Sequence, residues 1–201
     1  MRVLIACEFS GVVREAFRAR GHDAWSCDLL PAMDNSPYHF QEDVLGLIED
    51  TYLHGDIEPW DLMIAHPPCT WLCQAMRTNA ARKDRPKITE VFEEERQKAL
   101  DFVMALANAS IEKIAIENPI GHLNSVWRKP DQIIRPWWFG HEYNKDVCLW
   151  LKNFPKLEAT NRVEGPYKKL DFWSSKRNPN GYSLKSITFR GIANAMAEQW
   201  G

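Results

Sequence analysis

The sequence predicts a single α/β domain built on a doubly wound, mostly parallel sheet. Three observations predict it. Short apolar runs alternate with segments of helical spacing through the first third of the chain, the pattern of buried strands joined by crossover helices. The unusual residues gather at the ends of those runs, where open α/β sheets bind ligands. The length of 201 residues, with 45% hydrophobic and 26% charged residues, suits one domain with one sizeable core.

Residues 2–7 form a continuous apolar run, punctuated by Ser10-Gly11. Residues 12–20 show helical spacing through Val12, Val13, Ala16 and Phe17, and Gly21 ends that helix as a C-cap. Residues 23–28 predict a second strand closed by Pro31, residues 39–43 a short third strand, and residues 45–52 a weak helix. Residues 61–65 predict another buried strand, stopped by Pro67-Pro68. Residues 89–109 predict the clearest helix. Thr89 serves as its N-cap, Glu90, Glu93, Glu94 and Glu95 crowd its first turns, and Phe92, Ala99, Val103, Leu106 and Ala107 form its apolar stripe. Residues 113–116 predict a strand ending at Glu117-Asn118-Pro119. Residues 133–139 and 147–151 predict two more strands, and residues 192–200 a terminal helix. The whole chain, residues 1–201, is expected to be one domain with a small irregular insertion over about 152–187.

The apolar run of five residues before Glu8 is too short for a signal peptide, and no run approaches membrane-span length. The expectation is a cytoplasmic protein without a membrane partner. Five cysteines, an odd count without paired spacing, argue against a disulfide framework. Cys7, Cys27 and Cys148 sit in apolar segments and read as buried small hydrophobes. The net charge of −2 gives no global attraction to nucleic acid. Locally, residues 77–87 carry five basic residues against Asp84 alone, and residues 162–185 carry six against Glu164 and Asp171.

The strand ends carry the chemistry. A buried first strand, a glycine at Gly11 and a helix resemble a nucleotide-binding opening. Asp28, 17 residues after Gly11, can accept hydrogen bonds from ribose hydroxyls. Pro67-Pro68 holds Cys69 at a defined strand-end position. The basic segment and helix N-terminus beyond it are expected to lower its pKa. Glu117, 48 residues later, ends the next strand and should face the same pocket. A thiolate that attacks carbon 6 of cytosine makes carbon 5 nucleophilic, and a carboxylic acid at ring nitrogen 3 stabilises the developing charge. A base in duplex DNA must be flipped out to be reached.

These residues resemble the cytosine-5 DNA methyltransferases, and more narrowly the short phage and prophage versions without a large target-recognition domain. Cys7-Glu8-Phe9-Ser10-Gly11 is similar to the family's first motif, Pro68-Cys69 to its catalytic Pro-Cys, and Glu117-Asn118 to its catalytic Glu-Asn. Tyr143-Asn144-Lys145 resembles its Gln-Asn-Arg stretch, and residues 189–199 its final motif, a helix beside the cofactor pocket. The resemblance implies a Rossmann-like S-adenosylmethionine-dependent methyltransferase fold. It implies S-adenosylmethionine held by Phe9, Ser10, Gly11, Asp28, Leu29, Asp43 and Pro67, with Cys69, Glu117 and Lys145 as catalytic residues and DNA as substrate. The basic segments then read as a loop closing on DNA and as a surface of Lys and Arg interleaved with Tyr167, Phe172, Trp173 and Tyr182. The chain departs from the family at Val12-Val13 (more glycine expected), at Thr70 (glutamine) and at Lys145 (arginine).

Other readings stay open. His66, Cys69 and Cys73 could supply three metal ligands, but no fourth is evident. The H-x-E and P-C-x-x-C pair of zinc deaminases is missing. An amino-methyltransferase would use an (Asp/Asn)-Pro-Pro-aromatic turn, of which only the prolines are present. A non-catalytic module that binds nucleic acid or a partner, and methylation of free cytosine nucleotides, are the remaining alternatives.

Overall fold

The computed structural model describes residues 1–53, 58–73, 86–169 and 186–201, and for residues 86–90 and 169 the backbone alone. Its centre is a seven-stranded sheet in the order β3-β2-β1-β4-β5-β8-β6. The strands are β1 (Arg2–Ala6), β2 (Asp23–Cys27), β3 (His39–Phe40), β4 (Leu62–Ala65), β5 (Lys113–Pro119), β6 (Gln132–Ile134) and β8 (Val147–Lys152). β3, β2, β1, β4 and β5 are mutually parallel; β8 runs antiparallel to both β5 and β6. The α/β class and the mostly parallel sheet expected from the sequence are therefore present.

Alternation along β1 explains the two-sided core. Successive side chains point to opposite faces. Val3 and Ile5 join one cluster with Val13 and Phe17 of α1 (Val12–Arg18) and Ile192 and Met196 of α5 (Arg190–Trp200). Leu4 and Ala6 join the other with Leu47 and Ile48 of α2 (Val44–Leu53) and Val103 and Leu106 of α3 (Pro86–Ala107). Every residue of β4 is buried, as the run LMIA requires. A short helix, α4 (Leu123–Val126), follows β5. A two-stranded sheet pairs β7 (Tyr143–Asn144) with β9 (Lys168–Lys169), and β9 lies inside the stretch read as an insertion.

Several boundaries differ from the sequence reading. Helix α3 begins at Pro86, so Thr89 lies within its first turn rather than capping it; proline's fixed φ suits a first helical position. The expected strand 133–139 is short, because Pro136 opens a 3-10 turn over Pro136–Trp138. β5 continues through Pro119, since β8 pairs with Glu117, Asn118 and Pro119 after β4 has ended. β1 ends at Ala6, and Cys7 turns the chain with a left-handed φ of 59°. Most of the basic segment 77–87, together with Phe172, Trp173 and Tyr182, lies outside the described residues. No described helix is long and apolar enough to cross a membrane.

Candidate active site

Strand register puts the site together. Ala6 pairs with Cys27 on β2 and with Ala65 on β4, and Ala65 pairs with Ile116 on β5. The residue that follows each, namely Asp28, Cys7, His66 and Glu117, falls along the carboxyl edge of the parallel sheet. That edge is where open α/β sheets place ligands.

One cavity of about 460 Å³ opens there. Pro67, Cys69, Glu117 and Lys145 all line it, joined by His66, Asn118, Phe189 and Ile192. Four residues that the sequence singled out on three separate segments thus meet in one pocket. Two hydrogen bonds fix its floor. Buried Asn118 donates from Nδ2 to the Pro67 carbonyl oxygen at 2.9 Å, and His66 Nδ1 lies 3.4 Å from Glu117 Oε2. After Cys69 the chain turns back on itself, with the Leu72 and Cys73 amides donating to the Cys69 carbonyl at 3.1 and 2.9 Å. Gly121 admits this turn: a Cβ there would collide with the Leu72 carbonyl, which accepts from the His122 amide at 2.7 Å. A smaller cavity of about 260 Å³, lined by Trp71, Phe92, Arg96 and Asn124, shares Cys73 and Ile120 with the first.

The electrostatics correct the expectation for Cys69. Its thiol pKa is raised, first by burial of the sulfur in the cleft and then by Cys73 and Glu117; Lys145 opposes them. The residue is exposed at the cavity mouth, yet the pocket strips enough water from the sulfur to disfavour the thiolate. No described helix N-terminus follows it directly. Glu117 goes the other way. Burial would raise its pKa, but the hydrogen bond from His66 and the charges of Lys145 and His66 outweigh burial and hold the carboxyl below 4.5. At neutral pH Glu117 is a carboxylate rather than a resident acid.

The residues around β1 form a second cluster. Gly11 sits at the N-terminus of α1 with φ 73°, and a Cβ there would meet the guanidinium of Arg14 and the carboxylate of Asp34. The α1 N-terminus is capped from within: Glu8 accepts from the Val13 amide at 2.7 Å, the Arg14 amide at 3.2 Å and Ser10 Oγ at 3.1 Å. Glu8 is 4% exposed. Phe9 is buried as well, so its ring packs into the protein. Asp28 is half-buried; burial raises its pKa, while the Leu30 and Leu29 amides and His39 pull it down. Leu29 beside it is 71% exposed. Asp43 is exposed and caps α2, accepting from the Leu45 amide at 3.3 Å.

His66 and Glu8 hold roles that the sequence did not assign to them, the one as partner of Glu117 and the other as cap of α1. Glu8 was legible, being an acid a few residues before a helix start. The partner of His66 is 51 residues away, and only the β4–β5 register brings them together. Of the basic and aromatic surface expected over 162–185, the described part has partners within the protein. Tyr167 stacks on Trp137 with ring centroids 5.1 Å apart, Arg162 lies over Trp138, and Lys168 pairs with Glu142 at 2.6 Å. Among the described residues no group of three or more His, Cys, Asp or Glu could hold a metal ion. No family model matches the chain, and no curated protein matches its sequence.

Proposed function

We propose that this protein is an S-adenosylmethionine-dependent methyltransferase acting on carbon 5 of cytosine in DNA, through a covalent Cys69 adduct. The observation that carries the reading is the meeting of Cys69, Glu117 and Lys145 in one cavity at the carboxyl edge of a mostly parallel sheet. A nucleophile, a carboxyl group and a cation within one pocket suit addition to a ring that must accept electrons.

The cofactor reading rests on the other cluster. Dinucleotide-binding folds offer the N-terminus of the first helix to a pyrophosphate. Here Glu8 already occupies those amides, and Asp28 and Asp43 add negative charge nearby. This set repels phosphate and fits a phosphate-free ligand with ribose hydroxyls, an amine and a positive charge. S-adenosylmethionine has those features, and when bound it supplies an electrophilic methyl group on a sulfonium. Asp28 would accept from the ribose hydroxyls, Asp43 from the adenine amine, and exposed Leu29 would lie against the adenine. A Rossmann-like methyltransferase fold is compatible with the sheet order.

The chain's own residues divide the work. Cys69, once deprotonated, adds through Sγ to carbon 6, and Glu117 shares a proton with ring nitrogen 3. The Lys145 ammonium donates to a ring carbonyl, and Phe189 and Ile192 line the pocket with apolar surface. The test uses labelled S-adenosylmethionine with oligonucleotides and nucleotides containing 5-fluorocytosine, whose fluorine blocks the proton loss that releases the base. The expected result is a covalent adduct that disappears in Cys69→Ala. An adduct that persists in Cys69→Ala removes the role given to Cys69. Methyl transfer to an exocyclic amine without an adduct selects an amino-methyltransferase instead.

A further inference from the structure

Glu117 is framed as an acceptor. His66 Nδ1 lies 3.4 Å from Oε2 in a pair whose side chains are only 8% and 18% exposed. With Glu117 ionised, Nδ1 carries the hydrogen in this contact, because a carboxylate accepts and cannot donate. The groups facing Glu117 come from every neighbouring element. His66 stands at the end of β4, Cys69 on the turn beyond it, Lys145 on the segment ahead of β8, and Cys148 on β8 itself. The two cationic or donating groups, His66 and Lys145, both favour the ionised carboxyl and hold its pKa down from the ordinary value. His66 engages Oε2 alone, and Glu117 also lines the cavity.

An acceptor-only carboxylate matches a ring N–H. Cytosine presents a bare lone pair at nitrogen 3 and needs one added proton to be held by Glu117. Uracil presents N3–H and needs none. The flanking groups point the same way. Lys145 has three donors and no acceptor. Uracil has a carbonyl on each side of N3, so Lys145 is complementary to either. Cytosine has one carbonyl and one amino group, and only the carbonyl side suits an ammonium.

We propose that the same pocket accepts uracil-type pyrimidines with an unsubstituted carbon 5, N3–H donating to Glu117 and a ring carbonyl accepting from Lys145. The inference rests on the reading of Cys69 as nucleophile toward carbon 6. In the step implied, the Cys69 thiol loses its proton to solvent and Sγ forms a bond to carbon 6. The C5=C6 π pair moves into C4–C5, and the carbonyl π pair moves onto O4. Carbon 5 then takes a solvent proton as the O4 pair returns. Loss of the original C5 hydrogen to water and expulsion of the thiolate regenerate the base, with that hydrogen exchanged.

The exchange is the readout, and it needs no methyl donor. The full chain is incubated with uracil or cytosine tritiated at carbon 5, each in the same single-stranded oligodeoxynucleotide and as the nucleoside monophosphate. Tritium release into water is measured from pH 6 to 9. Release from both bases is expected, each lost in Cys69→Ala. The uracil-to-cytosine ratio should rise roughly tenfold per pH unit, because only the cytosine complex takes up a proton. In Glu117→Gln, whose amide can present an oxygen or an N–H at any pH, the ratio should become flat. Release from cytosine with none from uracil overturns this inference and leaves the proposed function standing. A ratio independent of pH in the unsubstituted protein also overturns it, whatever the variants do. Release from neither base overturns the function and the inference together.

Discussion

The side-chain amide of Asn118 reaches across from β5 to the carbonyl of Pro67, 2.9 Å away, and so ties the strand bearing Glu117 to the turn bearing Cys69. Asn118 is 2% exposed and Pro67 is buried, so the bond is made out of water, where an unmade partner is costly. It fixes the spacing of the two groups on which the proposed addition depends.

Asn118→Ala should therefore lose more than a contact. The Pro67 carbonyl would be left without its partner, at a cost of about 1–3 kcal/mol. Denaturant unfolding checks that figure. At a denaturant-free temperature where the variant is still folded, C5 hydrogen exchange should fall far more than nucleotide binding does. Equal losses in both would mean that the bond serves stability alone.

The reactivity of Cys69 should follow pH in a way its neighbours reveal. Its alkylation by iodoacetamide, followed on the Cys69 peptide by mass spectrometry, should rise with a midpoint above the ordinary thiol value, since burial raises the pKa. Lys145→Met removes the one neighbour that lowers it, and the midpoint should move higher. Glu117→Gln removes a neighbour that raises it, and the midpoint should move lower. Shifts in the reverse directions would contradict the arrangement described.

Stability should depend on Glu117 in a defined pH window. The folded pKa is depressed below 4.5, so between the folded and unfolded values the unfolded chain binds more protons, and stability rises with pH there. The contribution is fully present above the unfolded value and is lost as pH falls through the folded one. Unfolding of the native protein against Glu117→Gln should show a native advantage near pH 7 that shrinks as the pH falls below 4.5. An advantage that grows on acidification would refute the depressed pKa.

Glu8 and Asp28 should separate structure from ligand binding. Glu8→Ala strips the acceptor from the Val13 and Arg14 amides and should cost about 1–3 kcal/mol in chemical unfolding. Asp28→Ala should leave unfolding nearly unchanged and weaken S-adenosylmethionine binding by roughly 10–100-fold, the loss of one charge-assisted hydrogen bond. Isothermal titration measures the second effect. If Asp28→Ala bound as tightly as the native protein, the ribose contact assigned to it would be wrong.

The sequence made much of this visible, for physical reasons. Arg2–Ala6, Leu62–Ala65 and Val147–Lys152 were legible because strands buried on both faces leave no polar alternation. Cys69 and Glu117 were legible as strand-end residues because proline and polar residues interrupt apolar runs. The direction of β8 was not, since an apolar run carries no sign of whether its neighbours are parallel. For the same reason the extension of β5 through Pro119 was missed: it depends on pairing with β8. Thr89 misled because a threonine followed by glutamates matches a capping signal equally well one turn inside a helix. The charge states were least legible of all. That Glu117 is ionised and Cys69 held protonated depends on His66, Lys145 and the depth of the cleft, none of which a linear pattern encodes.

The carboxylate of Glu8 has a consequence for how this scaffold can change over time. It belongs to the chain, so it cannot be displaced by competition or diluted away. A scaffold that recruits its helix-capping anion from solution can drift between ligands by small adjustments of affinity. This one has to lose Glu8 before a phosphate can approach Val13 and Arg14, and losing it alone leaves those amides bare and the helix weakened. The path to a phosphate-bearing ligand therefore begins with a loss of fitness, and single substitutions are poorly suited to crossing it.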